Sequence, residues 1–221
     1  MTSGAQPTRR RLEPAERKAE ILAVARRLFG AGSYASVSTS DIAAAAGVAR
    51  PLINHYFGGK RELYLEVVRQ MVIVPAPVVE ALPDEPMERR LEIGIERWIE
   101  VVERNRDAWL TAIGPEAAGR DPEIERILLE ADEIAADRVL AAALMTGVTE
   151  GREPLRAMIR SYGGMVRAAS REWLVRGTLD RAQLRTFLVE SILGLLKLTY
   201  PAVLAETNGA RTRPGSSRST V

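Results

Sequence analysis

The sequence predicts an all-α fold in two parts: a compact N-terminal set of short helices and a larger C-terminal helical bundle. Apolar residues recur at spacings of three and four along most of the chain, and no stretch alternates polar with apolar as a half-buried strand does. Between Ser38 and Lys60 the text STSDIAAAAGVARPLINHYFGGK carries the start and stop signals of two short helices. A hydrophobic content of 46% over 221 residues is ample for a core.

The first helix is predicted over Ala15 to Phe29, where Ile21, Leu22, Ala25, Leu28 and Phe29 form one apolar stripe. Ser38 begins the second. Its hydroxyl can accept from free N–H groups of the first turn, and Asp41 adds a carboxylate near the positive helix end. Gly47 ends it, because glycine takes the left-handed conformation past a helix C-terminus without a steric penalty, and Val48 can pack back onto Ile42. Four alanines, Ala43 to Ala46, let neighbouring helices approach closely.

A third helix starts near Arg50 with Pro51 in its first turn, where a missing N–H costs nothing. At 100° per residue, Ile53 and Phe57 share the core side with Ala49 and Tyr56 flanking, while Pro51 and His55 lie opposite, with Leu52 and Asn54 between. Arg50 and Asn54 are suited to bidentate contacts with guanine and adenine, and Leu52 or Pro51 to a thymine methyl. Two short helices joined by a tight turn are a layout with which small proteins enter the DNA major groove. Lys60 to Met71 then carries Leu63, Tyr64, Val67, Val68 and Met71 as a fourth helix.

The run Ser38-x-x-Asp41-Ile42-Ala43, then Ala46-Gly47-Val48, then Tyr56-Phe57-x-x-Lys60-x-Glu62-Leu63 resembles the DNA-binding signature of the TetR family of bacterial transcriptional regulators. The resemblance covers about the first third of the chain. It departs at Ala49, where the family usually has Ser or Thr, and at Asn54, where it usually has Tyr. By this resemblance Thr39, Ser40, Tyr56 and Lys60 hold phosphates, while Arg50 and Asn54 read bases beside Pro51, Leu52 and His55. It further implies a homodimer on a palindromic double-stranded DNA operator, released by a small-molecule effector.

Charge follows the same division. Residues 1–70 carry 11 Lys or Arg against 6 Asp or Glu, a balance of +5, and the remainder carries 20 against 23, a balance of −3. Arg9, Arg10 and Arg11 form a basic arm suited to phosphates. The boundaries read from the sequence are a basic arm at 1–12, the helix-turn-helix domain at 13–60, a connecting helix at 61–74, a ligand-binding and dimerisation domain at 75–206 and a tail at 207–221.

The proline-rich text VPAPVVEALPDEP makes the connection into the second part. Helices are predicted over Met87 to Trp109, Pro122 to Leu144, Pro154 to Val175 and Arg181 to about Ala205, with a short one between Gly114-Pro115 and Gly119. Pro201 should kink or end the last of these. The final two occupy the place where the family builds its dimer, with Gly163, Gly164, Ala168, Ala169 and Gly194 allowing close approach and Leu193 to Leu198 buried from two sides. A tail from Thr207 should carry no structure. Trp98, Trp109, Tyr162, Met165 and Trp173 are candidates for a ligand pocket, and they serve equally as plain core. Asn105, Arg106 and Arg167 are the nearest polar partners for a ligand.

An enzyme is disfavoured. The single histidine, His55, lies in the predicted recognition helix, and no cysteine is present, so neither a histidine-based triad nor a His/Cys metal cluster can form. No cofactor is expected. Glu123, Glu125, Asp132 and Glu133 read as solvated faces paired with Arg126 and Arg138. With no uninterrupted run of about 18 apolar residues and no signal-peptide pattern, the expectation is a cytoplasmic protein without a membrane partner. The alternative is a helical protein-interaction module without an effector, which a salt-dependent shift of a DNA probe distinguishes.

Overall fold

The computed structural model describes residues 13–32, 34–73, 78, 80–114 and 121–211, and these divide at Gln70/Met71 into two units. Among the described residues the regular structure is helical, with no strand. The basic arm, the short helix expected before Gly119, much of the proline-rich connection and residues 212–221 lie outside this description.

In the first unit, α1 (Pro14–Ala31) starts at a proline and presents Ile21, Leu22, Val24, Ala25 and Phe29 to the interior. The next helix, α2 (Thr39–Ala46), buries Ile42, Ala43 and Ala46, and α3 (Pro51–Phe57) buries Ile53. Helix α4 (Lys60–Val72) supplies Leu63, Tyr64, Val67 and Val68. Phe29, Tyr34 and Tyr64 make a ring cluster, with centroids 5.1 Å apart for Phe29–Tyr64 and 4.8 Å for Tyr34–Tyr64. Such edge-to-face and tilted pairs add about 0.5–1.5 kcal/mol each beyond their buried area.

The second unit holds α5 (Met87–Arg104), α6 (Arg106–Ile113), α7 (Pro122–Ala142), α8 (Arg152–Arg171), α9 (Arg181–Gly194) and α10 (Tyr200–Arg211). The single helix expected over Met87 to Trp109 is broken at Asn105, whose side-chain amide donates to the Val101 carbonyl at 2.7 Å and so competes with the helical ladder. One core gathers Trp98, Ile99, Val102, Trp109, Ile113, Leu184 and Leu188; a second gathers Leu91, Leu140, Leu155, Ile159, Ile192, Leu196 and Tyr200. Arginines close the helix ends that side-chain caps do not. Arg90 Nε donates to Ala142 O at 2.9 Å, Arg171 Nη1 to Ile113 O at 3.0 Å, and Arg106 to Leu174 O. A cation on orphaned terminal carbonyls also meets the negative end of the helix dipole.

Two π turns interrupt the long C-terminal helices. Glu172–Arg176 ends α8 at Gly177, whose φ of 66° is left-handed, and Leu195–Thr199 joins α9 to α10. Pro201 therefore neither ends nor breaks the helix. A proline ring clashes with the carbonyl four residues back, here Lys197, and that carbonyl belongs to the widened turn. The helix continues to Arg211, past the point at Thr207 where structure was expected to stop. The segment Arg181–Thr207 is long and apolar enough to cross a membrane by composition, although Glu190 and Lys197 interrupt it. Only 28% of its most apolar stretch is buried within the chain.

Candidate DNA interface and ligand cavity

The turn between α2 and α3 is set by its own sequence. Ser38 caps α2 by a reciprocal box: Asp41 N–H donates to Ser38 Oγ at 3.1 Å, and Ser38 N–H donates to Asp41 Oδ2 at 2.9 Å. The Ser38 hydroxyl donates to the same carboxylate oxygen at 2.6 Å. The two bonds that the carboxylate accepts, from the Ser38 hydroxyl and the Ser38 N–H, hold the Asp41 carboxyl below its ordinary range, because each favours the charged form. At the other end Gly47 sits at φ 59°, its N–H reaching Ala44 O at 3.1 Å while Val48 N–H reaches Ala43 O at 2.9 Å. This is the left-handed helix stop that glycine makes cheaply.

Helix α3 starts without a side-chain cap, as Ala49 in place of Ser or Thr leads one to expect. Leu52 N–H bonds Ala49 O at 2.9 Å and Ile53 N–H bonds Arg50 O at 3.1 Å, tightening the first turn instead. Ile53 is fully buried, and Phe57 is half-buried with Lys18 Nζ 5.5 Å from its ring centroid. Ala49 departs from the core side assigned to it: it is exposed, because it precedes the helix and does not share its helical phase.

The opposite side of α3 is open. Arg50, Pro51, Asn54 and His55 are exposed, and Leu52 and Tyr56 are half-buried. Ser40 is exposed at the start of α2 beside the half-buried Thr39. Arg50 Nε donates to Thr39 Oγ1 at 3.2 Å, so a side chain from each helix of the pair meets at the mouth of the turn. Lys60 Nζ stands 4.3 Å from the Tyr34 ring centroid, a cation–π contact that holds the ammonium at the start of α4. All nine residues thus come from α2, from α3 with the Arg50 that precedes it, and from the first residue of α4.

Within the second unit lies a cavity of about 130 Å³, walled by α5 through Trp98, α6 through Trp109, α7 through Arg138 and Val139, α8 through Ile159 and Tyr162, and α9 through Leu188. Three of the five aromatic and methionine candidates, Trp98, Trp109 and Tyr162, line it. Met165 and Trp173 do not; they pack half-buried against the core around Trp98 and Leu184, since they follow Tyr162 on positions of α8 and its π turn that point past the cavity. The Tyr162 hydroxyl donates to Leu188 O at 2.9 Å, and burial pushes its phenol pKa up.

Gly163 also lines the cavity. A Cβ there would lie 3.2 Å from Asp132 Oδ1, so this glycine serves the approach of α7 to α8 and not a face left free for a second chain. Of the polar candidates only Arg167 reaches the cavity, held by Asp132 through contacts of 2.5 and 3.1 Å. Asn105 and Arg106 are engaged with the Val101 and Leu174 carbonyls. The acidic faces also sort differently from expectation. Glu123 pairs with Arg126, but Glu133 pairs with Arg156 and Arg160 across to α8, leaving Arg138 without an acidic hydrogen-bond partner.

Residues 21–67 match the family model described as bacterial regulatory proteins, tetR family. A transcriptional regulator BetI of Agrobacterium fabrum is 44% identical over 61 residues, 28% of this chain and 29% of that protein. EthR of Mycolicibacterium smegmatis is 33% identical over 85 residues, 37% of this chain and 39% of that one. The chain therefore aligns with less than half the length of these two curated relatives. A solved tetR-family regulator from Streptomyces coelicolor extends the likeness, with a TM-score of 0.66 and 25% identity over 90% of both chains. The helix-turn-helix geometry and these matches identify residues 21–67 as a DNA-binding domain of the tetR type found in bacterial regulatory proteins.

Proposed function

We propose that the protein is a sequence-specific DNA-binding regulator, a repressor of the TetR type, which leaves a palindromic operator when a small apolar or amphipathic ligand fills the cavity of the second unit. The observation that carries this reading is the exposed side of α3. Arg50 and Asn54, side chains suited to guanine and adenine edges, stand beside Thr39, Ser40, Tyr56 and Lys60, which are suited to phosphates. The excess of basic residues in 1–70 favours the same partner.

The operator is palindromic because the protein acts as a homodimer through the uncovered side of α9 and the turn after it. Phe187 is 42% exposed and Leu198 is 74% exposed, and a Cβ at Gly194 would meet nothing within 4 Å. Large apolar side chains left open on one helix are what a second copy would cover. In this reading the apolar composition of Arg181–Thr207 serves a protein interface and not a membrane. Function lies in binding and not in catalysis, with double-stranded DNA, a second copy and one effector as partners in the cytoplasm.

The test is selection of duplexes from a random DNA pool by the full chain, followed by binding titrations at several salt concentrations. An inverted-repeat consensus is expected, with affinity falling by orders of magnitude between about 50 and 200 mM salt. Recovery of no preferred sequence, or affinity indifferent to salt, overturns the reading. Effector action adds a coupling of about 1–3 kcal/mol between the two sites, and operator DNA must weaken ligand binding by the same factor.

A further inference from the structure

The wall of the cavity is mostly apolar, yet it contains two hydrogen-bond donors that bond to nothing. Trp109 is 6% exposed, and its indole N–H has no acceptor. Arg138 Nη1 is likewise buried and unpaired. Buried donors without partners are rare, because each forfeits its hydration with nothing in return. An indole can supply only a donor, and a guanidinium likewise has no acceptor atom. Both therefore ask for the same thing, an oxygen acceptor that the chain itself does not provide.

Charge narrows the choice. Three ionised side chains line the cavity, Asp132, Arg138 and Arg167. Asp132 and Arg167 neutralise each other through their two contacts, so Arg138 is left as one net positive charge in the wall. Burial lowers the Arg138 pKa, and Glu80, the acid near enough to oppose this, makes no hydrogen bond to it. An arginine keeps its proton even so, and a half-buried cation calls for an anion. A cavity of about 130 Å³ is close to the ~150 Å³ that takes one benzene ring.

Resting on the reading of this cavity as the effector site, we propose that the effector is a small carboxylic acid with an apolar body of about one ring or a short alkyl chain. Its carboxylate accepts from Arg138, with Trp109 donating to a further oxygen of the ligand and the apolar body packing on Trp98, Val139, Ile159 and Leu188. A neutral ligand of the same shape would leave Arg138 without a hydrogen-bonded anion.

The experiment is calorimetric titration of the full chain with benzoate, phenylacetate and hexanoate, each against its primary amide, together with operator-release measurements. At least one acid should bind tenfold or more tightly than its amide. Arg138→Met should abolish that preference while leaving amide affinity within about threefold, and Trp109→Phe should weaken the acid without erasing the preference. Circular dichroism establishes that each variant is folded, and Arg138→Lys, which keeps the charge, should retain part of the preference if Arg138→Met does not fold. Equal affinity for acids and amides, an unaltered preference in Arg138→Met, or no binding by any of the acids overturns the proposal. If amides bind and release the operator as well as acids do, the ligand class is wrong and the regulator reading stands. If acids bind with the expected preference but leave operator affinity unchanged, the carboxylate site stands and its role as effector site falls.

Discussion

Arg50 carries the sharpest consequence at the scale of single residues. In the free protein its Nε is held by Thr39 Oγ1, on the exposed side of the helix pair. Replacing it with Ala should cost about 1–3 kcal/mol on the preferred duplex and relax preference at one base pair, whereas Lys60→Ala should weaken all duplexes alike and lower the salt slope by about one. Binding titrations on matched and mismatched duplexes distinguish the two. Ser38→Ala removes the acceptor for the Asp41 N–H and should cost about 1 kcal/mol of stability by thermal or urea unfolding. The Asp41 carboxyl lies below its unfolded value, so its contribution is complete above the ordinary carboxylate range and is lost as pH falls through the lower folded value. Stability should thus fall on acidification, and less so in Asp41→Asn. The Ser38–Asp41 cap and the Gly47 stop were legible in the sequence because capping and turn chemistry are local. Arg138 was not: on the sequence it sits among acids at helical spacing, and only the packing of α7 against α8 shows that those acids are taken by Arg156, Arg160 and Arg167.

At the scale of helices, periodicity gave their existence and chemistry gave their ends, except where a side chain or a proline acted across a turn. The break at Asn105 and the persistence of the helix beyond Pro201 are of that kind, since both depend on where one carbonyl goes. The start of α8 is a case in which a backbone conformation matters more than propensity. Gly151 has φ 59°, and a Cβ there would lie 2.1 Å from Leu204 Cδ2 on α10 and 3.2 Å from Leu204 Cγ. Leu204 can yield in part, but the left-handed backbone cannot be relieved. Gly151→Ala should therefore destabilise the protein by about 1–2 kcal/mol, read as a lower urea midpoint with an unchanged slope. Met165 and Trp173 show the limit of composition as a guide. Aromatic and thioether side chains on neighbouring helices were grouped as one pocket, yet of Tyr162, Met165 and Trp173 only Tyr162 lines it.

At the scale of the whole molecule, the proposed dimer rests on the open side of α9. Phe187→Glu combined with Leu198→Glu should leave a folded monomer by sedimentation and abolish specific operator binding together with dimerisation, because neither side chain belongs to the buried cores. Loss of folding would instead place them in the interior. The charge division between the halves was legible by counting, but which face of α9 stays uncovered was not, since Leu193, Leu196 and Leu198 look alike in the sequence and differ only in where the π turn leaves them. That turn also bears on chain length. One series of inward residues of α9 and α10 recurs every four, at Leu184, Leu188, Ile192, Leu196, Tyr200 and Leu204, with Val189 buried beside it. In an α-helix each such step overshoots by about 40°, so five steps would carry Leu204 to the far side. The wide turn at Leu195–Thr199 absorbs one residue and cancels much of the drift. It follows that the chain holds one residue here that its helix does not need. Deleting Thr199, with Pro201→Ala to permit an ordinary turn, should leave the flanking segments in place and the melting temperature within a few degrees, whereas deleting the equally exposed Glu190 should turn everything beyond it by about 100° and unfold the second unit.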